Sequence, residues 1–285
     1  MRRHRVSERR ACLVVGQHRS TQRYEPVPGD FEERLVKAMW AHAEQHPRWG
    51  YRQIWGLLVE DGWEVNRKRV ERLWRREGMR VAPLKSKTSG KKAGGSAENS
   101  IWNFPAVSVD HVWTIDFITD YTVHGVKFRC FNVLDEFTRY LVGVHVARRI
   151  GARSVRAFFE VLFATEGPPK FLRADNGREF IGEELAGWLG EQGVKILFVE
   201  KASPQQNGFV ESFHSRMRDE CLNAEEFDSV LEARVVIGQW RDLYNNTRRH
   251  RGLGLKTPAA FRADALEHPD ARPRQTDGGR KKRSR

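Results

Sequence analysis

The sequence has few cysteines and no long apolar run, and these absences exclude several classes of protein. Cys12, Cys130 and Cys221 stand far apart, which excludes a disulfide framework and a CxxC zinc site. The apolar runs fall well short of the roughly 20 residues that a membrane span requires. No apolar segment of signal-peptide length follows the basic N-terminus. We therefore expect a cytoplasmic protein without a membrane partner.

Positive charge is in excess, and it is unevenly distributed. The 285 residues include 50 Lys+Arg and 37 Asp+Glu, a formal net charge of +13. Residues 1–100 contribute +10, residues 101–264 contribute −1, and residues 265–285 contribute +4. Basic flanks around a near-neutral centre are typical of chains that contact a phosphate backbone. The distribution predicts a polyanionic partner, with a merely solvated, disordered tail as the alternative for the last segment.

Residues 31–80 show the apolar spacing of three helices. Asn66 is predicted to cap the third helix, which runs to about Glu77 and stops at Gly78. One face of this helix is apolar, and the opposite face carries Lys68, Arg69, Arg72, Arg75 and Arg76. A short helix, a tight turn and a basic helix form the outline of a helix-turn-helix, so we predict that these five cations contact DNA. An amphipathic helix with a solvated basic face remains the alternative.

The composition changes beyond residue 81, where a Gly/Ser/Lys-rich stretch predicts a flexible linker. Three strand-like runs follow, then helix, strand, helix and strand. This order predicts an α/β fold with a mixed five-stranded sheet and flanking helices, as in ribonuclease-H-like folds. The predicted strands are Val109–Ile118, Val126–Leu134, Tyr140–Val146, Lys170–Ala174 and Val194–Val199. The predicted domains are an all-α helix-turn-helix region at 1–81, a linker at 82–105, a catalytic core at 106–222, a helical extension at 223–264 and a basic tail at 265–285.

Three acids stand out against this fold. Asp116 lies inside a hydrophobic strand, where a carboxylate is costly to bury unless it pairs or binds a metal. Asp175 ends the fourth predicted strand, and ligands bind at the carboxyl ends of such strands. Glu211 is separated from Asp175 by 35 residues and lies in a loop that leads into a helix. Carboxylates of this kind hold two divalent metals for phosphodiester cleavage.

Four other acids and one histidine near these positions are not expected to bind metal. Asp110 is assigned to the start of a strand, Asp120 to a position near a strand end, and Asp135 and Glu136 to a turn. His214 lies one turn after Glu211 and is expected to be an exposed helix histidine.

Together the segments WTIDF, DNGREF and SPQQNGFVESF resemble the Asp-Asp-Glu core of retroviral integrases and bacterial transposases. More closely, residues 11–261 resemble the OrfB-type transposases of the IS-three family. Arg48-Trp49-Gly50-Tyr51-Arg52 is similar to part of the family's helix-turn-helix, and Tyr244-Asn245 with Arg249-His250 is similar to its closing motif. This chain departs from the family's pattern at Lys201-Ala202, where Pro-Gly is usual, and at Arg249, where Pro is usual.

The resemblance implies an integrase-type core in which Asp116, Asp175 and Glu211 are catalytic and bind two Mg²⁺ ions, with Mn²⁺ as a substitute. It places a DNA-gripping cation at Arg218, two helical turns after Glu211, with an ion pair to Glu220 as the alternative. Gln206 and Asn207 are further expected DNA contacts.

The implied partners are the terminal inverted repeats, target DNA and further copies of this chain. A polypeptide from an upstream reading frame, separate or fused by frameshifting, is another implied partner. The expected activity is strand cleavage at the ends of an insertion sequence followed by strand transfer. Two alternatives stay open: a non-catalytic DNA-binding regulator derived from a transposase, and a ribonuclease-H-like nuclease that cuts without joining.

Overall fold

The computed structural model describes residues 6–23, 30–81, 104–175, 182–199 and 208–268, without the side chains of residues 175 and 199. The N-terminal part is helical, and its elements are α1 (Glu8–Val15), α2 (Arg19–Arg23), α3 (Asp30–Gln45), α4 (Tyr51–Glu60) and α5 (Arg67–Arg76). The second part contains β1 (Val112–Tyr121), β2 (Lys127–Asp135), β3 (Leu141–Ala147), α6 (Ala152–Glu166), β4 (Phe171–Asp175), α7 (Glu183–Glu191), β5 (Lys195–Val199), α8 (Gly208–Met217), α9 (Val230–Asn246) and α10 (Pro258–Glu267).

The five strands form one mixed sheet in the order β3-β2-β1-β4-β5. The β1–β2 and β2–β3 pairs are antiparallel, whereas the β1–β4 and β4–β5 pairs are parallel. Helices α6 and α7 cover one face with a core around Trp113 and Phe159. Helices α8 and α9 cover the other face with a core around Phe128 and Tyr244. The predicted ribonuclease-H-like fold class is therefore confirmed.

Helix α6 packs very closely on the sheet because β3 has a glycine at the contact. A Cβ atom at Gly143 would lie 2.7 Å from the Phe158 ring and 2.9 Å from Leu162. Any larger side chain would push α6 away from the core.

The helical part has its own hydrophobic core. Helix α5 is capped and terminated by the residues that the sequence predicts. The Asn66 side chain accepts a hydrogen bond of 2.9 Å from the Lys68 amide and caps α5. Val70, Leu73 and Trp74 are buried on the inner face of α5, and Gly78 has the left-handed φ of 68° typical of a helix stop. The predicted helix-turn-helix outline is confirmed.

The helical part is docked on the sheet part by polar contacts. Arg48 forms an ion pair with Asp219, and the Trp49 indole donates a hydrogen bond of 3.3 Å to Glu220. The Gln53 side chain exchanges two hydrogen bonds with the backbone of Arg249, at 2.7 and 2.9 Å. The two segments that resemble family motifs, near residues 50 and 250, therefore meet in space.

The first strand starts three residues later than the sequence predicts, whereas each of the other four starts one residue later. β1 begins at Val112 and not at Val109, because Asp110 has a positive φ of 55° that interrupts an extended chain. Asp110 instead accepts hydrogen bonds from Trp113 and Arg262.

The cysteines and the helix lengths complete the description. All three cysteines are buried free thiols. Within the described ranges, no helix combines the length and the apolar character that crossing a bilayer requires.

Candidate functional site

Two of the three predicted acids lie at the same edge of the sheet, on neighbouring parallel strands. The last residues paired between β1 and β4 are Ile115 and Ala174. Asp116 and Asp175 follow this pair directly, one on each strand. The backbone therefore brings the two aspartates side by side, although the Asp175 side chain lies outside the described atoms.

The third acid, Glu211, is exposed in the first turn of α8. This helix lies against β1 at the level of Asp116, since Nδ1 of His214 is 3.4 Å from Oδ2 of Asp116. Residues three apart on a helix are surface neighbours about 5–6 Å apart at Cβ. Glu211 is three residues before His214 and is therefore its neighbour on the surface of α8. Since His214 contacts Asp116, the start of α8 lies near the Asp116 carboxylate.

His214 differs from the exposed residue that the sequence predicts. Its side chain is 14% exposed, and its Nε2 lies 3.1 Å from Nδ2 of Asn132 on β2. Burial and the nearby Arg218 charge lower the pKa of His214 to about 4. A neutral ring that accepts from Asn132 at Nε2 carries its proton on Nδ1, which faces Asp116. Asn132 pairs with Asp116 across β1 and β2, a long-range relation that no local pattern indicates.

Arg218 lies close to this edge but in a different local geometry from the one predicted. Helix α8 ends at Met217, and a π-helical turn, Arg218–Leu222, follows. The exposed Arg218 side chain donates a hydrogen bond of 3.1 Å to the carbonyl of Thr119 on β1. The alternative pairing with Glu220 is absent from the described contacts, because Glu220 binds Arg248 through two hydrogen bonds of 2.7 Å.

The donor set fits a hard divalent cation at this edge. Asp116 is partly exposed, with 34% of its side chain accessible, and its Oδ1 accepts a hydrogen bond from the Phe117 amide. Carboxylate oxygens beside open solvent are the ligands that Mg²⁺ prefers, because it keeps several waters. Within the described side chains no three His, Cys, Asp or Glu residues are close enough to hold a metal, and that search leaves out Asp175. Gln206 and Asn207 also lie outside the described residues.

Other acids near the strands have structural roles. The carboxylate of Glu136 forms an ion pair with Arg173 of β4, and both side chains are fully buried. Asp135 is equally buried and accepts a hydrogen bond of 2.7 Å from Thr138. Glu136 begins the turn, as predicted, but Asp135 is the last residue of β2 and not a turn residue. Neither side chain is exposed as turn acids usually are. Asp120 lies next to the end of β1, as predicted.

The basic face of α5 is partly neutralised within the helical part. Three of its predicted DNA contacts, Arg69, Arg72 and Arg76, bind the same carboxylate, Glu32, at 3.1, 2.6 and 3.0 Å. Partial desolvation raises the pKa of Glu32, but the hydrogen bonds from the three arginines outweigh it and leave the pKa below its usual value. Arg75 pairs with Glu71 at 2.6 Å, whereas Lys68 has no ion pair within the described part of the chain. All these cations are at least partly exposed.

Comparison with family models assigns the two parts separately. An HTH-like domain matches residues 30–87. Two models of the integrase core domain match residues 106–204 and 192–258. The matched core carries Asp116, Asp175 and Glu211.

The chain also resembles whole proteins of insertion sequences. An uncharacterized 31.7 kDa protein of insertion element IS407 from Burkholderia multivorans is 34% identical over 266 residues, covering 93% of this chain and 94% of that protein. The transposase of insertion element IS904 from Lactococcus lactis is 28% identical and covers 76% of this chain and 88% of its own length. A magnesium complex of the HTLV-2 integrase catalytic core is a solved structure with 16% identity and a TM-score of 0.42, covering 54% of this chain and 97% of that one.

The assignment depends on the domain matches and the full-length relatives, and not on the distant solved structure. The strand order and the helix-turn-helix outline agree with both domain matches. The chain therefore belongs to the family of OrfB-type transposases of IS-three insertion sequences.

Proposed function

We propose that this transposase cuts DNA at the ends of an insertion sequence and joins the resulting 3′-hydroxyl groups to target DNA. Asp116, Asp175 and Glu211 would hold the metal ions, and the other residues at this edge would position them. The observation that carries the proposal is the adjacency of Asp116 and Asp175 after the last β1–β4 pair, with α8 packed against Asp116 through His214.

The proposed reaction has two similar displacements at phosphorus. In the first, a water oxygen bonds to phosphorus and the bond to the 3′-oxygen breaks. The water loses a proton to solvent, and the leaving 3′-oxygen takes one up to become a hydroxyl. In the second, this 3′-hydroxyl oxygen loses its proton to solvent and bonds to a target phosphorus, while the target 3′-oxygen leaves and takes up a proton. When bound, two Mg²⁺ ions, or Mn²⁺ in their place, activate the attacking oxygen and stabilise the leaving oxygen.

The chain's own side chains have distinct tasks in this proposal. The three carboxylates provide negative oxygen ligands, and the Asp116 oxygens are oriented by the Phe117 amide and by His214. Arg218 is exposed beside β1, where its guanidinium can bind a phosphate of the strand being cut. The basic face of α5 would bind the duplex away from the cut.

The test is a strand-cleavage and strand-transfer assay on duplexes that carry the terminal inverted repeats of the element. Asp116→Asn, Asp175→Asn and Glu211→Gln keep side-chain shape and remove a charged ligand. We expect each variant to lose roughly a thousandfold in rate, because several kcal/mol of charge stabilisation are removed. Asp120→Asn is the matched control on the same strand face as Asp116.

The assay also separates the alternatives. Cleavage without joining by the wild type would favour a nuclease, and DNA binding without cleavage would favour a regulator. Near wild-type rates in all three triad variants would refute the proposed site.

We further propose that copies of this chain assemble on DNA, since joining both ends of an element requires two active sites. Measurement of the mass of the complex with paired end duplexes tests this. A complex that contains a single protein chain would contradict it.

A further inference from the structure

A second candidate site lies where the helical part meets the sheet part. A cavity of about 600 Å³ opens there, and its wall includes Arg48, Arg52, Arg139, Arg216, Arg249 and Arg251. Arg248 also lies in the wall. Three of these seven arginines are already paired with carboxylates: Arg48 with Asp219, Arg248 with Glu220 and Arg249 with Glu60. Arg52, Arg139, Arg216 and Arg251 have no ion pair within the described residues, so these four give the cavity its net positive charge.

Several nitrogen atoms around this cavity are buried without a hydrogen-bond partner. Within the described residues, these atoms are Nη1 of Arg139, Nε2 of His250, Nε of Arg48 and Nε of Arg249. All four residues line the same cavity. Buried polar nitrogens that lack a partner cost free energy, and four residues of this wall each carry one.

Arg139 is the most deeply placed of these groups. Its guanidinium stacks on the Phe209 ring at 3.3 Å from the centroid, and its backbone has a left-handed φ of 61°. Burial lowers the pKa of Arg139 to about 10, which leaves it charged at neutral pH. A charged group in such a position is stabilised most by a bound anion.

His250 is an uncharged residue in the wall of the cavity. Burial lowers its pKa to about 3, together with the charges of Arg248, Arg139 and Arg216. A neutral imidazole here adds no charge, while the arginines around it remain cationic. The cavity thus favours anions over cations.

The cavity also lies beside the helix that carries Glu211. Ser212 and Arg216, both on α8, line it. At about 100° per residue, Arg216 projects about 140° around the helix from Glu211. One side of α8 therefore faces the proposed catalytic edge and another side faces the cavity.

We propose that this cavity binds one phosphodiester group of the DNA backbone. The guanidinium groups provide paired N–H donors that match phosphate oxygens. The bound phosphate would contact both parts of the chain, from Arg48 and Arg52 on one side and Arg216 and Arg251 on the other. The identity of the ligand as DNA rests on the proposed function, whereas its phosphate chemistry rests on the cavity.

The test uses Arg216→Gln and Arg251→Gln, since both side chains are exposed at the cavity and their loss leaves the cores intact. The control is Arg153→Gln, an exposed arginine on α6. The probe is a fluorescent duplex that carries the terminal inverted repeat, titrated at several salt concentrations. We expect each cavity variant to bind about tenfold more weakly, with a salt slope smaller by about 1, and the control to be unchanged.

A second measurement identifies the contacted phosphate. Each backbone phosphate near the end is replaced in turn by a neutral methylphosphonate, and binding is measured for the wild type and for Arg216→Gln. At one position the replacement should weaken the wild type but leave the variant unaffected, because the two changes remove the same contact. Additive losses at every position would overturn the proposal.

A melting-temperature measurement with inorganic phosphate distinguishes binding of a free phosphate ion from binding of a DNA phosphate. If millimolar inorganic phosphate raises the melting temperature of the wild type but not of Arg216→Gln, and no DNA position couples, the cavity holds a free anion and the DNA proposal is wrong. Failure of cleavage by the wild type would count against the proposed function only, since these binding measurements require no catalysis.

Discussion

The imidazole of His214 lies between Asn132 and Asp116, with Nδ1 3.4 Å from the Asp116 carboxylate. A side chain that contacts a metal-binding carboxylate fixes the orientation of that carboxylate. Loss of such a supporting contact costs about 10–100-fold in metal affinity or activity. His214 is therefore a positioning residue in the proposed site.

We predict that His214→Ala lowers the cleavage rate by about 10–100-fold and raises the Mg²⁺ concentration needed for half-maximal rate. The melting temperature should fall as well, because the ring is mostly buried and its loss leaves Nδ2 of Asn132 without its partner. The Mg²⁺ dependence is therefore the deciding measurement. Ser215→Ala, at an exposed neighbour, is the control. A wild-type dependence on Mg²⁺ in His214→Ala would show that the contact has no role at the site.

Glu32 neutralises part of the surface that is predicted to bind DNA. We expect Glu32→Gln to release Arg69 and Arg72, while Arg76 keeps its ion pair with Glu77. DNA binding at low salt should then tighten by roughly tenfold, and its salt dependence should steepen by about 1. Titration of a labelled duplex over a salt series measures both quantities. Glu33→Gln removes the same charge from an exposed neighbour. Equal gains in the two variants would mean that only net charge matters and that α5 is not the contact.

Gly56 lies against the Arg249 side chain where the two parts of the chain dock. A Cβ atom there would lie 2.2 Å from Nε and 2.3 Å from Cδ of Arg249. Gly56→Ala should cost about 1–3 kcal/mol through overpacking, and urea unfolding should separate into two transitions as the parts come apart.

The control for this change is Gly238→Ala on α9. A Cβ atom at Gly238 meets no described atom within 4 Å, so the change should stabilise the protein by up to about 1 kcal/mol through helix propensity. A single, unshifted transition in Gly56→Ala would contradict the proposed importance of the contact.

The buried Asp135 carboxyl predicts a pH dependence of stability. Burial raises its pKa from 3.8 to about 6 in the folded state. The folded protein therefore binds more protons than the unfolded chain between these values, so the contribution of Asp135 to stability falls as pH rises through this window. The full change corresponds to about 3 kcal/mol.

The measurement is the urea midpoint of the wild type and of Asp135→Asn at several pH values from 4 to 7. We expect the wild type to lose stability relative to the variant as pH rises, because Asn does not ionise. Parallel curves for the two proteins would show that the carboxyl titrates normally.

Local signals account for much of what could be predicted from the sequence. The Asn66 cap, the apolar face of α5 and the order of strands all depend on residues close together in the chain. Residue type and apolar spacing are therefore enough to predict them. The positions of Asp116 within β1 and of Asp175 at the end of β4 could be predicted from the local strand pattern.

Long-range pairings were beyond this kind of reasoning. Glu136 looks like a solvated turn acid until Arg173, on a strand two positions away in the sheet, is placed beside it. His214 is held by Asn132 of another strand. The ion pairs of the arginines on α5 are made with Glu32, which lies on a different helix. Arg249, where the family usually has Pro, forms the docking contact with Gln53, and no spacing rule connects those positions.

The parallel pairing of β1 with β4 also sets the order in which the site can appear during synthesis. β2, β3 and α6 must be made before β4 exists, and α8 follows β5. The helical part depends on contacts that are short in sequence, which form early, while non-local strand pairing is slow. A nascent chain can therefore display a folded basic surface while its carboxylates are still separated, and a product that ends before Glu211 has no means of assembling the proposed cutting centre.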